Sequence, residues 1–383
     1  MSGPPPIRLG LVGGGAIAPV HLAAAALSGA FRPVAALGSS DPARAAAFAA
    51  AHGLRGHHDL PAMLAAEAAR PDGGVGAVAV LTPNHLHRGQ AVAALRAGLD
   101  VLCEKPLAAT LEDARAILAA VRETGRALVL AHAYSGYPAL RQARALVADG
   151  AIGAVRAVQA EYLGGGLAER VEGTPEGARR WRLDPARAGA CPVLLDLGTH
   201  AHHLLGFVLG EWPDRVSAEL GALVPGRRTA DYASLRLGFP SGARGTLVAT
   251  SAAAGQENHL ALRAIGERGS LEWRQARHQE LWLRPLRGPA LIYSRGMPDL
   301  APAARRATRI PRTGHPEGLH EAFAALYADL AERVRAREEG RAPDPLALLS
   351  PGAEEGVRGL GFVAAAVESA AADGVWREIA APA

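Results

Sequence analysis

The chain has 383 residues, enough for two domains with separate cores, and its 49% of hydrophobic residues never form the ~20-residue uninterrupted run of a membrane span. A net charge of +4 is spread over scattered basic residues, and the densest group (Arg305, Arg306, Arg309, Arg312) has no interleaved aromatics, so a solvated face is expected and no nucleic-acid surface. Cys103 and Cys191 are the only cysteines, which excludes a disulfide framework and a cysteine zinc site; the opening MSGPPPIRLG has no signal-peptide pattern, so a cytoplasmic protein is expected.

Every basic residue except Lys105 is arginine. A composition that uses arginine wherever positive charge suffices leaves lysine where arginine cannot serve. Arginine stays protonated at any working pH, whereas a partly buried lysine can lose its proton and act as acid or base. Asparagine is nearly as scarce, at positions 84 and 258 alone.

Residues 7–12, IRLGLV, form an apolar run ahead of Gly13-Gly14-Gly15-Ala16-Ile17-Ala18, a G-x-G-x-x-A turn. Gly13 suits a tight turn, Gly15 lets a pyrophosphate approach the backbone, and Ala18 permits close strand–helix packing. Pro19 fits the first turn of a helix whose free N–H groups face phosphate. The spacing then predicts strand 33–38, a helix opened by Asp41-Pro42 and ending before Gly53, strand 75–81, and a helix from about His85 to Arg96. Strand 99–103, a helix capped at Thr110 and stopped at Gly125, and strand 127–131 follow. Such alternation specifies an α/β Rossmann domain, a doubly wound parallel sheet, over residues 1–131. Ligands bind these sheets at the carboxyl ends of the strands. Thr82-Pro83-Asn84-His85-Leu86-His87 and Cys103-Glu104-Lys105-Pro106 fall there, so the lone lysine occupies the expected cofactor edge.

An acid closing the second strand would bind the adenosine ribose of NAD, and a basic cluster would hold the 2′-phosphate of NADP. Leu37-Gly38-Ser39-Ser40 carries neither, with Asp41 late and Arg44 a helical turn further on. NAD is expected, with NADP left open.

Beyond residue 131 the pattern changes. A helix is expected over 138–149 and strands over 154–162, 216–224, 233–239, 245–249, 260–265 and 270–273, several alternating with period two. Residues 132–383 therefore read as an α+β domain with a large, mostly antiparallel open sheet that binds substrate. One sheet face is left for a partner subunit, as homodimer or homotetramer. Within it, the apolar stretch 193–208 predicts a buried helix with Asp196 and His200 four residues apart on one face. A carboxylate beside an imidazole orients it as a proton acceptor, although the same pair would also serve as a buried anchor. His200, His202 and His203 do not share a face as metal ligands would, so no metal is expected.

GGGAIA, TPNHLH, CEKPLA and DLGTHAHHL together resemble the Gfo/Idh/MocA family of oxidoreductases, which includes glucose–fructose oxidoreductase and inositol dehydrogenase. The resemblance implies that Lys105 sits beside nicotinamide and substrate, and that Asp196 and His200 bind and deprotonate a hydroxyl. Cys191-Pro192 departs from the glycines that relatives often carry there. Gly314-His315-Pro316-Glu317-Gly318 is similar to a segment of a subgroup that includes levoglucosan dehydrogenases, which tilts the expected substrate towards cyclic or anhydro sugars. A turn that merely opens the next helix accounts for it equally well.

The expected cofactor contacts are Gly13, Gly15, Ala16, Ile17, Ser39, Ser40, Arg44, Thr82, Pro83, Asn84, His87, Glu104 and Lys105. The expected substrate contacts are Lys105, Tyr134, Arg182, Asp196, His200 and His315. The expected reaction is hydride transfer between a hydroxyl carbon of a cyclic sugar, anhydrosugar or polyol and nicotinamide. His200 takes the hydroxyl proton, and Lys105 bonds the same oxygen. Two alternatives stay open: an NAD-dependent glycosidase working by transient oxidation and elimination, and a non-catalytic nucleotide-binding regulator.

Overall fold

A computed structural model describes residues 4–172, 174, 181, 184–310 and 312–382. In chain order the strands are β1 (Ile7–Val12), β2 (Phe31–Leu37), β3 (Arg55–His57), β4 (Ala77–Val80), β5 (Asp100–Cys103), β6 (Leu128–Leu130), β7 (Val155–Leu163) and β8 (Arg215–Gly221). They continue with β9 (Tyr232–Gly238), β10 (Arg244–Thr250), β11 (His259–Gly266), β12 (Gly269–Arg274), β13 (Leu281–Pro285), β14 (Leu291–Tyr293) and β15 (Arg377–Glu378). The main helices are α1 (Ala18–Leu27), α2 (Pro42–Ala51), α3 (Leu60–Ala68), α4 (Asn84–Arg96) and α5 (Leu111–Thr124). After them come α6 (Pro138–Ala148), α7 (Thr199–Leu209), α8 (Pro302–Ala307), α9 (Leu319–Glu338) and α10 (Ala353–Ala370).

The chain forms two compact units. The first contains Met1–Ala108, Glu112–Gly136 and Leu319–Gly356; the second contains Ala109–Leu111, Tyr137–Gly318 and Val357–Ala383. By packing, then, Leu319–Gly356 goes with the first unit. The boundary expected after residue 131 describes chain order rather than which residues share a core.

The first unit is a six-stranded sheet in the order β3-β2-β1-β4-β5-β6, every pair parallel, as in dinucleotide-binding folds. β4 and β5 are buried along their whole length, the continuous apolar reading of strands covered on both faces. Leu9, Leu11, Leu102 and Val129 share their core with Phe323, Leu326 and Tyr327 of α9. Arg337 of α9 closes a bidentate pair on Asp100, which also accepts the N–H of Ala127. The apolar pattern does not announce β3 or α3. β3 is three residues, RGH, at the sheet edge, and α3 buries only Met63 and Glu67.

The second unit is built on a nine-stranded sheet, β14-β13-β12-β11-β7-β10-β9-β8-β15. Only β7 and β10 pair in parallel; the other neighbours are antiparallel. Burial alternates along β9, β10 and β11, and the inward face carries Tyr162, Leu235, Leu247, Leu262 and Trp273. α7 lies against β7 and β11, with α6 beside it. The strand expected over 216–224 ends at Gly221, and the helix expected over 193–208 is a π turn, Leu194–Gly198, followed by α7. Among the described residues no helix is long and apolar enough to cross a membrane.

Candidate active site

In the first unit, the glycine turn leaves β1 hung on the end of β2. The Gly13 N–H donates to the Leu37 carbonyl at 2.9 Å and the Gly14 N–H to that of Gly38 at 3.0 Å. Gly13 has φ +115°, and a Cβ there would lie 2.8 Å from the Leu81 carbonyl carbon and oxygen, so the turn requires glycine. A Cβ on exposed Gly15 would meet nothing within 4 Å. Ala16 is exposed too, Ile17 stands at the N-cap, and no side chain caps α1. Open space beside an uncapped helix N-terminus suits a pyrophosphate.

At the end of β2 the Asp41 carboxylate accepts the Arg44 N–H at 2.8 Å and so caps α2; the Asp41 N–H donates to Ser39 Oγ at 3.1 Å. This acid is engaged by its own helix, while Arg44 extends into solvent with its guanidinium 3.8 Å from Asp41. Ser39 is half-buried and Ser40 exposed.

Across the sheet, Thr82 donates to Gln90 at 2.5 Å, Pro83 precedes α4, and buried Asn84 opens it. His87 is wholly buried, with Nδ1 3.0 Å from the Pro106 carbonyl and Nε2 2.7 Å from that of Thr82. It ties the Thr82 loop to the Lys105 loop rather than facing outward. Burial pushes its pKa down, against the pull of the two carbonyls. His85, in the same motif, was not among the expected contacts, yet its buried Nδ1 has no hydrogen-bond partner among the described residues.

Lys105 is half-buried at the carboxyl end of β5, and its peptide bond to Pro106 is cis. Its N–H donates to Glu104 Oε2 at 3.0 Å. The other Glu104 oxygen lies 3.0 Å from His21 Nε2, and His21 Nδ1 lies 3.0 Å from the Tyr327 hydroxyl. His21 and Tyr327 were missed by sequence reasoning, because neither belongs to a motif. Tyr134 is buried in the 3-10 turn Ala133–Gly136 that follows β6.

In the second unit, Asp196 stands half-buried in the π turn, where the Thr199 N–H reaches back to the Leu194 carbonyl. Turns of this kind recur at functional sites. His200, on the first turn of α7, is 8% exposed, and its ring tilts against Tyr162 at 5.7 Å. His202 and His203 pack inward: His202 stacks on Phe362 at 4.4 Å, and His203 lies beside Phe207 at 5.9 Å. Burial drives both imidazoles down to about 3. Among the described residues no three His, Cys, Asp or Glu side chains gather as a metal site requires.

His315 is exposed, and its carbonyl accepts from Arg295. Glu317 turns inward, where one oxygen accepts from Arg295 at 2.9 Å and from the Arg309 N–H at 2.8 Å, so it fastens its own loop. Arg305 of the basic group donates to the Leu300 and Pro298 carbonyls ahead of α8, and Arg309 to that of Arg306 at its end. Arg182 lies outside the described residues.

Two family models match the chain: "Oxidoreductase family, NAD-binding Rossmann fold" over residues 7–132 and "GFO/IDH/MocA C-terminal domain" over residues 140–272. "Uncharacterized oxidoreductase YfiI" of Bacillus subtilis (strain 168) is 31% identical, with 97% of each chain covered. An inositol dehydrogenase homologue from Azotobacter vinelandii, solved with NAD+, superposes with TM-score 0.91 at 35% identity, covering 97% of each chain. The same homologue solved with NADH and myo-inositol gives TM-score 0.88 at 34% identity, again over 97% of both. Levoglucosan dehydrogenase of Pseudarthrobacter phenanthrenivorans is 29% identical over 72% of this chain and 75% of its own. The glycine turn, the E-K-P lysine loop and the D-x-G-x-H helix thus lie in a chain that belongs to the Gfo/Idh/MocA family of oxidoreductases, with an NAD-binding Rossmann domain.

Proposed function

We propose that this chain is an NAD-dependent dehydrogenase that oxidises a secondary hydroxyl of a cyclic sugar, anhydrosugar or polyol. The observation that carries the reading is Lys105, the only lysine, half-buried on the same sheet edge as the glycine turn. The residues present fit the dinucleotide: open space beside Gly15 at the uncapped start of α1, and at the start of α4 a buried His85 Nδ1 with no hydrogen-bond partner among the described residues. When bound, the nicotinamide supplies the acceptor for the carbinol hydride.

The chain's own residues do the rest. Gly13, Gly15, Ala16 and Ile17 hold the pyrophosphate, and Ser39 and Ser40 offer hydroxyls to the adenosine ribose. The preference for NAD rests on the lack of an adjacent basic pair there, Arg44 being the one cation within a turn. Thr82, Pro83, Asn84 and Glu104 line the nicotinamide side, and His87 steadies their loops from within. His200, oriented by Asp196, takes the hydroxyl proton; Lys105 donates a hydrogen bond to the same oxygen and shares the proton load. Tyr134, Arg182 and His315 complete the contacts to the sugar.

Residues 1–131 then carry the dinucleotide and residues 132–383 the substrate and subunit contacts. The outward face of the nine-stranded sheet supports a homodimer or homotetramer. On it Glu272 gathers Arg263, Arg274 and Arg284 within 2.6–3.2 Å, a charged cluster able to meet its own copy.

A screen of cyclic sugars and polyols with NAD and with NADP, read by nicotinamide absorbance, tests this. NAD-linked oxidation of at least one cyclic polyol is expected. Cleavage of a glycoside without net NADH, or tight NAD binding with no turnover, would overturn it.

A further inference from the structure

The first unit holds a hydrogen-bond chain behind Lys105, two members of which, His21 and Tyr327, have no part in the proposed reaction. His21 lies on α1, just beyond the glycine turn, with no exposed surface. Its two ring nitrogens reach in different directions, Nδ1 to the Tyr327 hydroxyl on α9 and Nε2 to Glu104 Oε1, each at 3.0 Å. The second Glu104 oxygen accepts the main-chain N–H of Lys105 at 3.0 Å.

A carboxylate only accepts, so Nε2 carries a proton; in the neutral imidazole Nδ1 then accepts and the Tyr327 hydroxyl donates. The surroundings are apolar: the His21 ring tilts against Phe323 at 4.7 Å, and Tyr327 meets Phe31 edge-on at 5.4 Å. Polar groups retained in such a core cost stability unless every one is bonded, and here each bond leads on to the next. The chain ends on the main chain of the one lysine.

We propose that His21 is a positioning residue. Through Glu104 it links the helix behind the glycine turn to the backbone of Lys105, and Tyr327 holds its ring in the tautomer that can do so. A dinucleotide docking at the start of α1 is thereby felt at Lys105. The functional importance of this link rests on the proposed role of Lys105, but its existence can be tested without any substrate.

Because Lys105 is the only lysine, protein labelled with [15N]lysine shows one backbone amide signal, that of the N–H held by Glu104. Hydrogen exchange of that amide reads the link directly. Glutamine places its side-chain nitrogen near the position of Nε2, and asparagine near that of Nδ1. His21→Gln is expected to keep the wild-type exchange rate, and His21→Asn, which loses Glu104, to exchange on the order of tenfold faster, about one net hydrogen bond. Addition of NADH is expected to shift the signal in wild type and His21→Gln, and less in His21→Asn. Equal behaviour of the two variants, or a wild-type rate in His21→Asn, overturns the proposal. Should His21→Asn fail to fold, Tyr327→Phe decides: faster exchange supports the link, and an unchanged rate overturns it. A chain that turned over no sugar would leave this signal as it is, so the two failures are distinguishable.

Discussion

Lys105 stands half-buried at the end of β5 with its N–H held by Glu104, and an arginine in its place would keep its proton at any working pH. Lys105→Arg is therefore expected to fold and to bind NADH, as a fluorescence titration would show. Its turnover is expected to fall by roughly 10²–10⁴, the span associated with a general acid or base. Near-normal turnover would reduce Lys105 to an electrostatic contact. The position of this lysine was legible because the composition singles it out and the strand pattern puts it at the carboxyl edge of the first sheet. Its partners were not. His21 is 83 residues from Glu104 and 306 from Tyr327, separations at which only tertiary packing decides who meets whom. His87 and Glu317 illustrate the same limit: each sits in a readable motif, and each is turned inward by contacts the motif does not encode.

Two glycines of one turn serve different ends. Gly13 combines positive φ with a backbone neighbour at 2.8 Å, whereas Gly15 has neither positive φ nor any atom within 4 Å of a Cβ. Gly13→Ala is expected to destabilise the protein by roughly 1–3 kcal/mol in a thermal or denaturant melt. Gly15→Ala is expected to leave the melt unchanged and to weaken NADH binding, since its methyl would fill the space open to the pyrophosphate.

A second element with measurable consequences is α7. His202 and His203 are held neutral in the fold, at about 3, while an unfolded imidazole titrates near 6.5. Above that value both states are neutral, and neither group affects stability. As pH falls below it, the unfolded chain binds protons that the folded chain refuses, so stability drops by up to about 1.4 kcal/mol per pH unit for each histidine. His202→Phe, suited to the stack on Phe362, is expected to flatten the fall in Tm between pH 7 and pH 5. An unchanged slope would mean that His202 is not held neutral.

Elements with a full apolar period were readable, as in β1, β4, β5 and the alternating β9–β11. The π turn was not, because a stretch that buries nearly every residue carries no period to betray an extra residue in the turn.

At the scale of the molecule, chain order and packing divide the protein differently. α9 follows the second sheet in sequence yet completes the core of the first, with Phe323, Leu326 and Tyr327 against Leu9 and Leu102. No local signal could assign it, since a helix buried on most of its sides does not announce which sheet it will cover. That the first sheet is parallel was within reach of the alternating pattern, although its edge strand β3 was not, and the strand order of the second sheet was not, since period two says which face is buried and nothing about neighbours.

The proposed chemistry uses Lys105, Asp196 and His200, and the base in that set can be isolated. The decisive measurement is the pH–rate profile of NAD-linked oxidation of a cyclic polyol that the substrate screen identifies, at saturating NAD, for wild type and His200→Ala. A neutral imidazole must be present to accept the hydroxyl proton, so the wild-type rate is expected to rise with pH along a limb that depends on His200. His200→Ala is expected to lose that limb and roughly 10²–10⁴ of the rate. A variant that kept both the limb and most of the rate would contradict His200 as the base and hand the proton to Lys105.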